Sequence, residues 1–546
     1  MLLCIYCSLN LSAQQRTVGI LQAEDEAYLR YQLFISVDQP YAALIDMCGA
    51  VVNEWELDET GFTADFLPDG NLLVSGRIND NTFNRPGKTG LLQIRSWEND
   101  LLWETSFTDG RYAAHHDFDV MPNGNILVTL WERFDSTAAI NLGRDTSITD
   151  AEIWPEAIFE IKPVGTDTFD VVWEWHLWDH LIQDRDSSLE NFGVIDEHPE
   201  RFDINYETRF NDDWNHANSI DYNEARDEIV LGSRDWSEFY VIDHSTTSSE
   251  AATSSGGNAG KGGDILYRWG NPRAYGRGNE TNLQINAQHD VSYDVARSTS
   301  DTLLFTAFSN NNNLPDFSSA VDVTVPLTAS GSFIQPENFQ AYGPDSTSFT
   351  FDGNPSGAFN SPFMGSYDVL PNGNILVTSA ILGEYFEYNP EGQLVWNYKV
   401  PVGLFGIMTQ GDSINGRVFK AYPYELDDLR LAGRDLTPIK KAVELNPLSF
   451  DCPYDILSDL DDLPELASNT SQLAYLNSHT ISLTYSTKGK KRLSVYDMNG
   501  RESLQSISAD KEQLIDLSSL AGGLYVIRVV HTNEAVSEIF KIVIAE

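Results

Sequence analysis

The sequence predicts an all-β fold, a six-bladed β-propeller followed by a small C-terminal β-sandwich. Three observations carry this. A strand–turn–strand unit recurs: DVMPNGNILVT from Asp119 to Thr129 returns as DVLPNGNILVT from Asp368 to Thr378, and as DFLPDGNLLVS from Asp65 to Ser75. Its Pro-Asn-Gly or Pro-Asp-Gly centre supplies the positive φ a tight hairpin needs. A second hairpin, ending in a tryptophan, alternates with the first: residues 43–55 end at Trp55, 91–103 at Trp103, 158–175 at Trp175 and 385–396 at Trp396. Two hairpins make a four-stranded unit that cannot bury both faces alone, so such units stack around an axis as blades. Finally, 12 Trp, 27 Phe and 23 Tyr give a 546-residue chain ample core material.

The first residues, 1–14, are apolar and end in Leu-Ser-Ala-Gln, like a secretory leader, although no basic segment precedes them. Cys4 and Cys7 fall within it. The remaining pair, Cys48 and Cys452, is expected to form a disulfide in an exported protein. The propeller is placed at residues 15–450. Its inner hairpins begin near Asp65, His116, His216, His289 and Tyr367, with a less regular sixth unit around residues 417–437. In the third and fourth units, longer turns at 221–231 and 294–304 replace Pro-Asn-Gly. Residues 176–213 are expected to make a short helical excursion. The Ser/Gly-rich stretch 244–263 is expected to be mobile, and 309–365, with its run of four Asn, to form a long loop by the mouth of the axis. Residues 451–472 read as a solvated acidic linker, since the spacing and central glycine of a calcium loop are missing.

The tail, 473–546, has short alternating strands and Asn-Gly and Gly-Gly turns, the pattern of a β-sandwich. Its VYDMNGR (495–501), LAGGLYVI (520–527) and terminal KIV (541–543) resemble the C-terminal sorting domain of the type IX secretion system of Bacteroidetes. The resemblance implies export through the periplasm to the cell surface or medium, with the secretion machinery as a partner.

Charge limits the function. With 35 basic and 81 acidic residues, the net charge is -46. Such a surface repels nucleic acid and anionic lipid at long range, so neither is an expected partner. Salt tolerance and simple solubility both fit this charge. An anionic substrate would need its own local cations. No stretch of 18 apolar residues occurs, so no membrane span is expected.

Against this background the histidines stand out, since there are only ten. Aligned on their turns, His116 (in AHHDFD, 114–119), His216 (in WNHANS, 214–219) and His289 (in NAQHDVSYD, 286–294) take one position in successive blades, where blade one has Phe62 and blade five Gly365. One fixed position on successive inner strands points to a common spot on the axis. Three histidines could hold zinc, or could be satisfied channel residues. Asn218, two residues after His216, is expected on the same side. Arg234, in Gly-Ser-Arg-Asp, returns toward His216 across a hairpin. A cation beside the histidines disfavours a metal, and His, Asn and Arg donors together describe a site for a tetrahedral oxyanion. The plain alternative is that Arg234 merely pairs with Asp235.

The motifs His115-His116-Asp117, WNHANS, Ser233-Arg234, RWGNP (268–272) and Gln288-His289-Asp290 together resemble the bacterial arylsulfotransferases, across about 43–437. That family is six-bladed. The resemblance implies transfer of a sulfuryl group from an aryl sulfate donor to a phenolic acceptor, with no nucleotide, cofactor or metal. It makes His289 the transiently sulfated nucleophile, with His216, Asn218 and Arg234 on the sulfuryl oxygens. His116 is the acid/base, with His216 a rival, and His115 is a secondary substrate contact. Two departures are expected: no separate N-terminal β domain, and unusually long fourth-blade loops. Two other functions fit the fold: a secreted, non-catalytic propeller binding a ligand or protein, and a sulfate or phosphate ester hydrolase. The sulfatase Cys-x-Pro-x-Arg motif is absent from the sequence.

Overall fold

The computed structural model describes residues 15–454, apart from 79–81, 311–316 and 338, and parts of the tail between 472 and 544, its strands among them. The expected leader, most of the acidic linker (455–471) and most of the Asn run lie outside the described residues. The chain divides into two compact units after Tyr454.

The first unit is a six-bladed propeller. Blade 1 runs from Gly61–Phe66 through Leu72–Arg77 and Gly90–Arg95 to Leu101–Ser106. Blade 2 comprises Tyr112–Val120, Ile126–Glu132, Glu156–Val164 and Thr168–His176; blade 3 comprises Ala217–Asn223, Glu228–Ser233, Glu238–Asp243 and Tyr267–Trp269. Blade 4 is His289–Tyr293, Thr302–Ser309, Ser319–Pro326 and Phe349–Phe351. Blade 5 is Ser366–Val369, Ile375–Ser379, Glu384–Tyr388 and Leu394–Lys399, with Gly19–Ala23 added outside. The repeated turns place Gly70, Gly124 and Gly373 at φ 79°, 83° and 87°, a region side chains disfavour.

The sixth blade corrects the sequence expectation. Residues 417–437 supply one inner strand, Tyr422–Glu425, and not a hairpin. The other three strands come from the opposite end of the chain: Arg30–Ile35, Tyr41–Ile45 and Val51–Glu56. Tyr424 pairs with Tyr31 and Tyr422 with Leu33, so the two ends of the unit close the ring. The Cys48–Cys452 disulfide joins the same ends across 404 residues.

The outer-strand tryptophans explain why the second hairpin was so legible. Each is buried and donates its indole N–H into the next blade. Trp55 of blade 6 donates to Ser96 O (3.0 Å), Trp103 of blade 1 to Thr168 O (2.6 Å) and Trp175 of blade 2 to Gly263 O (2.8 Å). Trp269 of blade 3 donates to Pro344 O (2.7 Å) and Trp396 of blade 5 to Met47 O (2.9 Å). Blade 4 ends instead in Phe351, whose ring packs on Tyr388 of blade 5 and on Phe359.

The insertions differ from expectation. Residues 177–203 hold two short 3₁₀ turns, Leu177–His180 and Ile195–Glu197, beside a two-stranded parallel pair. The Ser/Gly stretch is pinned: Thr247 and Glu250 form a capping box on a one-turn helix, and His180 bonds Ala251 O. Within 309–365, Ser319–Pro326 and Phe349–Phe351 are the outer strands of blade 4, and the other described residues form the connections around them.

The second unit contains a three-stranded sheet (Gln472–Asn477, Thr480–Thr484, Glu512–Asp516). Its four-stranded sheet is Glu502–Ser508, Lys491–Asp497, Gly523–His531 and Ser537–Ile544. Alternate residues Ile481 and Leu483, Ile515 and Leu517, Leu493 and Val495, and Tyr525 and Ile527 form one buried apolar cluster drawn from both sheets.

Candidate functional site

A bulge recurs near the start of the inner strand in blades 1 to 4. In blade 2, Val128 faces Phe118 and Leu130 faces Ala114, so His115, His116 and Asp117 all oppose Thr129. Blades 1, 3 and 4 shift register at 61–64, 217–219 and 289–292. Bulges re-aim side chains, and here His116 and His216 adopt φ 50° and 53°. Non-glycine residues held there cost on the order of 1 kcal/mol each, strain that tends to persist where function needs it. The Thr129 hydroxyl clamps the bulge, lying 2.6 Å from His115 O and 2.8 Å from Asp117 O.

The result is a cavity of about 650 Å³ that His116, His216, His289 and Arg234 all line. The rings of His116 and His216 are 4.6 Å apart. Phe62, Phe419 and Met364 pack beside them, Phe419 lying 6.1 Å from His289 and 6.2 Å from His116. In blade 5, Met364 lines the cavity, not Gly365. Gly87 lies directly over His116: a Cβ there would sit 1.9 Å from Cε1.

The three histidines differ in environment. His289 is driven down to about 3 by burial and then by Arg234, so its ring is neutral. Its tautomer follows from Asn310. The Asn310 amide nitrogen donates to Ser361 O (2.8 Å) and Met364 O (2.6 Å), which leaves Oδ1 to accept from His289 Nδ1 at 2.7 Å. Nδ1 therefore carries the hydrogen and Nε2 the lone pair, which the Met364 N–H approaches at a long 3.3 Å. His216 is opposite in character. Burial opposes its charge, but Asp213, 2.5 Å from Nδ1, outweighs burial and raises its pKa. His116 is pushed well below 6.5 by burial and by His216, His115 and His289.

Two of the expected site residues stand behind the cavity. His115 stacks on Trp131 and bridges Glu156 Oε2 (2.8 Å) to His116 Nδ1 (2.9 Å). The Glu156 carboxylate accepts from His115 Nε2, and with His115 Nδ1 accepting from His116 Nδ1, His116 Nε2 is left as a base. Asn218 is buried and donates to Gln288 O at 2.7 Å, fixing the strand that carries His289. Strand alternation had put it beside His216; the bulge between Ala217 and Ser219 breaks that alternation. Arg234 is brought to His216 as expected, its N–H donating to His216 O at 3.1 Å, and it also pairs with Asp235. Glu156, Asp213 and Asn310 were missed. They lie outside the repeat's register, although Asp213 sits only three residues before His216.

Below the histidines, Lys420 of blade 6 bonds Asp117 Oδ2 at 2.8 Å and lies 3.8 Å from Asp290, the residues following His116 and His289. The repeated aspartates stitch blades together. Asp119 accepts from Tyr222 N (2.8 Å) and Asp221 from Tyr293 N (2.7 Å). Burial raises all of them, Asp290 to about 6, Asp221 to about 7 and Asp119 well above the usual carboxylate range.

Residues 5–251 match the family model for Arylsulfotransferase (ASST). The arylsulfotransferase match takes in His115, His116, His216, Asn218 and Arg234 and ends before His289. It supports an arylsulfotransferase-type function for the chain. Residues 477–545 match a secretion system C-terminal sorting domain, which marks the protein for export to the cell surface or medium. No curated protein matches the sequence. Among solved structures, a protein of unknown function from Bacteroides caccae matches at 11% identity and TM-score 0.39, over 73% of this chain and 99% of that one. Virginiamycin B lyase from Staphylococcus aureus matches at 11% identity and TM-score 0.31, over 69% and 87%. PorZ, a surface component of the type-IX secretion system of Porphyromonas gingivalis, matches at 9% and 0.20, over 93% and 74%. Among the described residues, no helix is long and apolar enough to cross a membrane.

Proposed function

We propose that the propeller, residues 15–450, transfers a sulfuryl group from an aryl sulfate to a phenolic acceptor through a sulfated His289, and that residues 473–546 serve its export by the type IX machinery. The observation that carries the reading is the contrast among three adjacent imidazoles: one neutral with a defined lone pair, one biased toward the cation, one neutral and backed by a carboxylate through a second imidazole.

In the first half-reaction, His289 Nε2 attacks sulfur, the N–S bond forms and the S–O(aryl) bond breaks. His216, biased toward the cation by Asp213, and Arg234 face the sulfuryl oxygens, and His216 gives its proton to the departing phenolate. The sulfated ring keeps its Nδ1 hydrogen on Asn310. Because that partner is a neutral amide, the ring stays positively charged and remains a good leaving group. In the second half-reaction the acceptor oxygen attacks sulfur and its proton passes to His116 Nε2, while the N–S electrons return to His289. Proton return from His116 to His216 closes the cycle between rings 4.6 Å apart.

The test is p-nitrophenyl sulfate with and without phenol, on wild type and His289→Ala. Acceptor-dependent nitrophenol release that disappears in the variant, with one sulfuryl mass added to wild type in the absence of acceptor, is expected. Release that ignores the acceptor would make the protein a hydrolase. Binding without release would make it a non-catalytic propeller.

A further inference from the structure

The cavity holds more positive charge than one sulfate ester needs. In a chain of 35 basic and 81 acidic residues, its described lining includes Arg77, Arg85, Lys88, Arg209, Arg234 and Arg417, and no carboxylate. Arg234 stands beside the histidines with a side chain 15% exposed. Arg85 at 28% and Arg417 at 42% lie nearer the mouth. These three each have a carboxylate behind them: Asp235, Asp212 and Asp38 respectively.

Arg77 and Arg209 differ. Among the described residues neither forms an ion pair, and the carboxylate whose charge reaches Arg77, Asp38, is already held by Arg417. The Arg77 guanidinium lies 5.5 Å from the Phe62 ring centre, and Arg209 lies 4.8 Å from that of Phe210, which Arg85 also approaches at 4.2 Å. Burial, then the charge of Arg417, weakens the hold of Arg77 on its proton, and the attraction of Asp38 does not offset them. Phe62, Phe83, Phe210 and Phe363 line the same space. A cavity of this volume falls within the range that encloses drug-sized ligands, larger than a single phenyl sulfate.

We propose that the substrate of this cavity is an aromatic compound with a second oxyanion besides the transferred sulfuryl group, bound by Arg77 and Arg209 while its ring packs on the phenylalanines. This deepens the sulfotransfer reading and rests on it for the identity of the first anion. The second oxyanion can be a carboxylate or another sulfate or sulfonate; guanidinium recognises their shared planar pair of oxygens.

The test separates binding from turnover. Wild type and His289→Ala are titrated calorimetrically with benzenesulfonate and benzene-1,3-disulfonate, neither of which can donate sulfuryl. The disulfonate is expected to bind about 10- to 100-fold more tightly, the usual worth of a charge-assisted contact. In Arg77→Gln/Arg209→Gln that ratio is expected to collapse to within about threefold, with unchanged thermal melting as the folding control. In parallel, 4-hydroxybenzoate is compared with phenol as acceptor, and 4-carboxyphenyl sulfate with phenyl sulfate as donor, to say which substrate carries the second anion. Equal binding of the two sulfonates by wild type overturns the proposal, as does an equal loss for both in the double variant, because the cations then only offset the protein's negative field. Absence of any sulfuryl transfer, with the disulfonate preference intact, would instead refute the sulfotransfer reading alone.

Discussion

Replacing Asn310 with alanine separates two consequences that the structure ties to one side chain. The Asn310 side chain makes three hydrogen bonds to described residues, two to the carbonyls of Ser361 and Met364 and one from His289 Nδ1. At about 1 kcal/mol net each, their loss costs about 3 kcal/mol of stability, or about 3–6 °C in a propeller of this size. The catalytic consequence is separate. Without Oδ1 the hydrogen on Nδ1 loses its acceptor, and the ring more readily places it on Nε2, where it cannot attack. Loss of that one bond frees the tautomer by a factor of about five. Loss of ring orientation adds to this, and a wrong tautomer in a serine protease triad costs about 10⁴ in kcat. The expected fall in kcat for Asn310→Ala is therefore on the order of 10- to 1000-fold, measured as phenol-dependent nitrophenol release well below the melting temperature. Nitrogen-15 NMR of His289 in wild type is expected to show the hydrogen on Nδ1. A variant that melts lower but keeps kcat within about twofold would refute the tautomer argument, as would an Nε2–H signal in wild type.

Two further predictions concern charge. Asp213→Asn removes the carboxylate that raises the His216 pKa; the proton needed for the leaving group is then lost at lower pH. The alkaline limb of kcat should move to lower pH, with a larger loss for phenyl sulfate than for the better-leaving p-nitrophenyl sulfate; an unmoved limb would remove His216 from the acid role. Asp221→Asn tests the buried channel. Its folded pKa of about 7 lies above the unfolded 3.8, so the folded state binds the extra proton, and acidification from pH 8 toward 4 favours folding. The neutral amide keeps an oxygen for Tyr293 N–H, so the variant should be more stable by about 2–4 kcal/mol at pH 8 and show no advantage near pH 4. Equal stability at both pH values, by denaturant titration, would contradict it.

The fold was legible because the repeat writes its own geometry. Pro-Asn-Gly turns marked the inner hairpins, and tryptophans marked the outer strands because each must reach the next blade. The ring closure was not legible, since Tyr422–Glu425 pairs with Arg30–Ile35 across almost 400 residues and carries no repeat motif. The turn alignment brought together the three histidines that now share one cavity. It misplaced Asn218 because it assumed plain strand alternation, whereas the inner strands bulge at that height. Asn310 was hidden for a different reason. It lies in a polar run that reads as loop, and only tertiary packing shows one of four consecutive asparagines turned inward to His289.

The tryptophans also carry a lesson about motion. Five blade junctions are fastened by an indole reaching across; between blades 4 and 5 the described residues use aromatic rings and side-chain bonds of Asn310, Ser318 and Asp290 instead. His289 sits at that junction, its attacking lone pair shaded by the Met364 N–H of the neighbouring blade. Attack requires this cover to slip aside, and the cover belongs to the seam that, among the described residues, no outer-strand indole crosses. The five seams tied by indoles can then stay fixed while the reactive nitrogen is uncovered and covered again at each turnover.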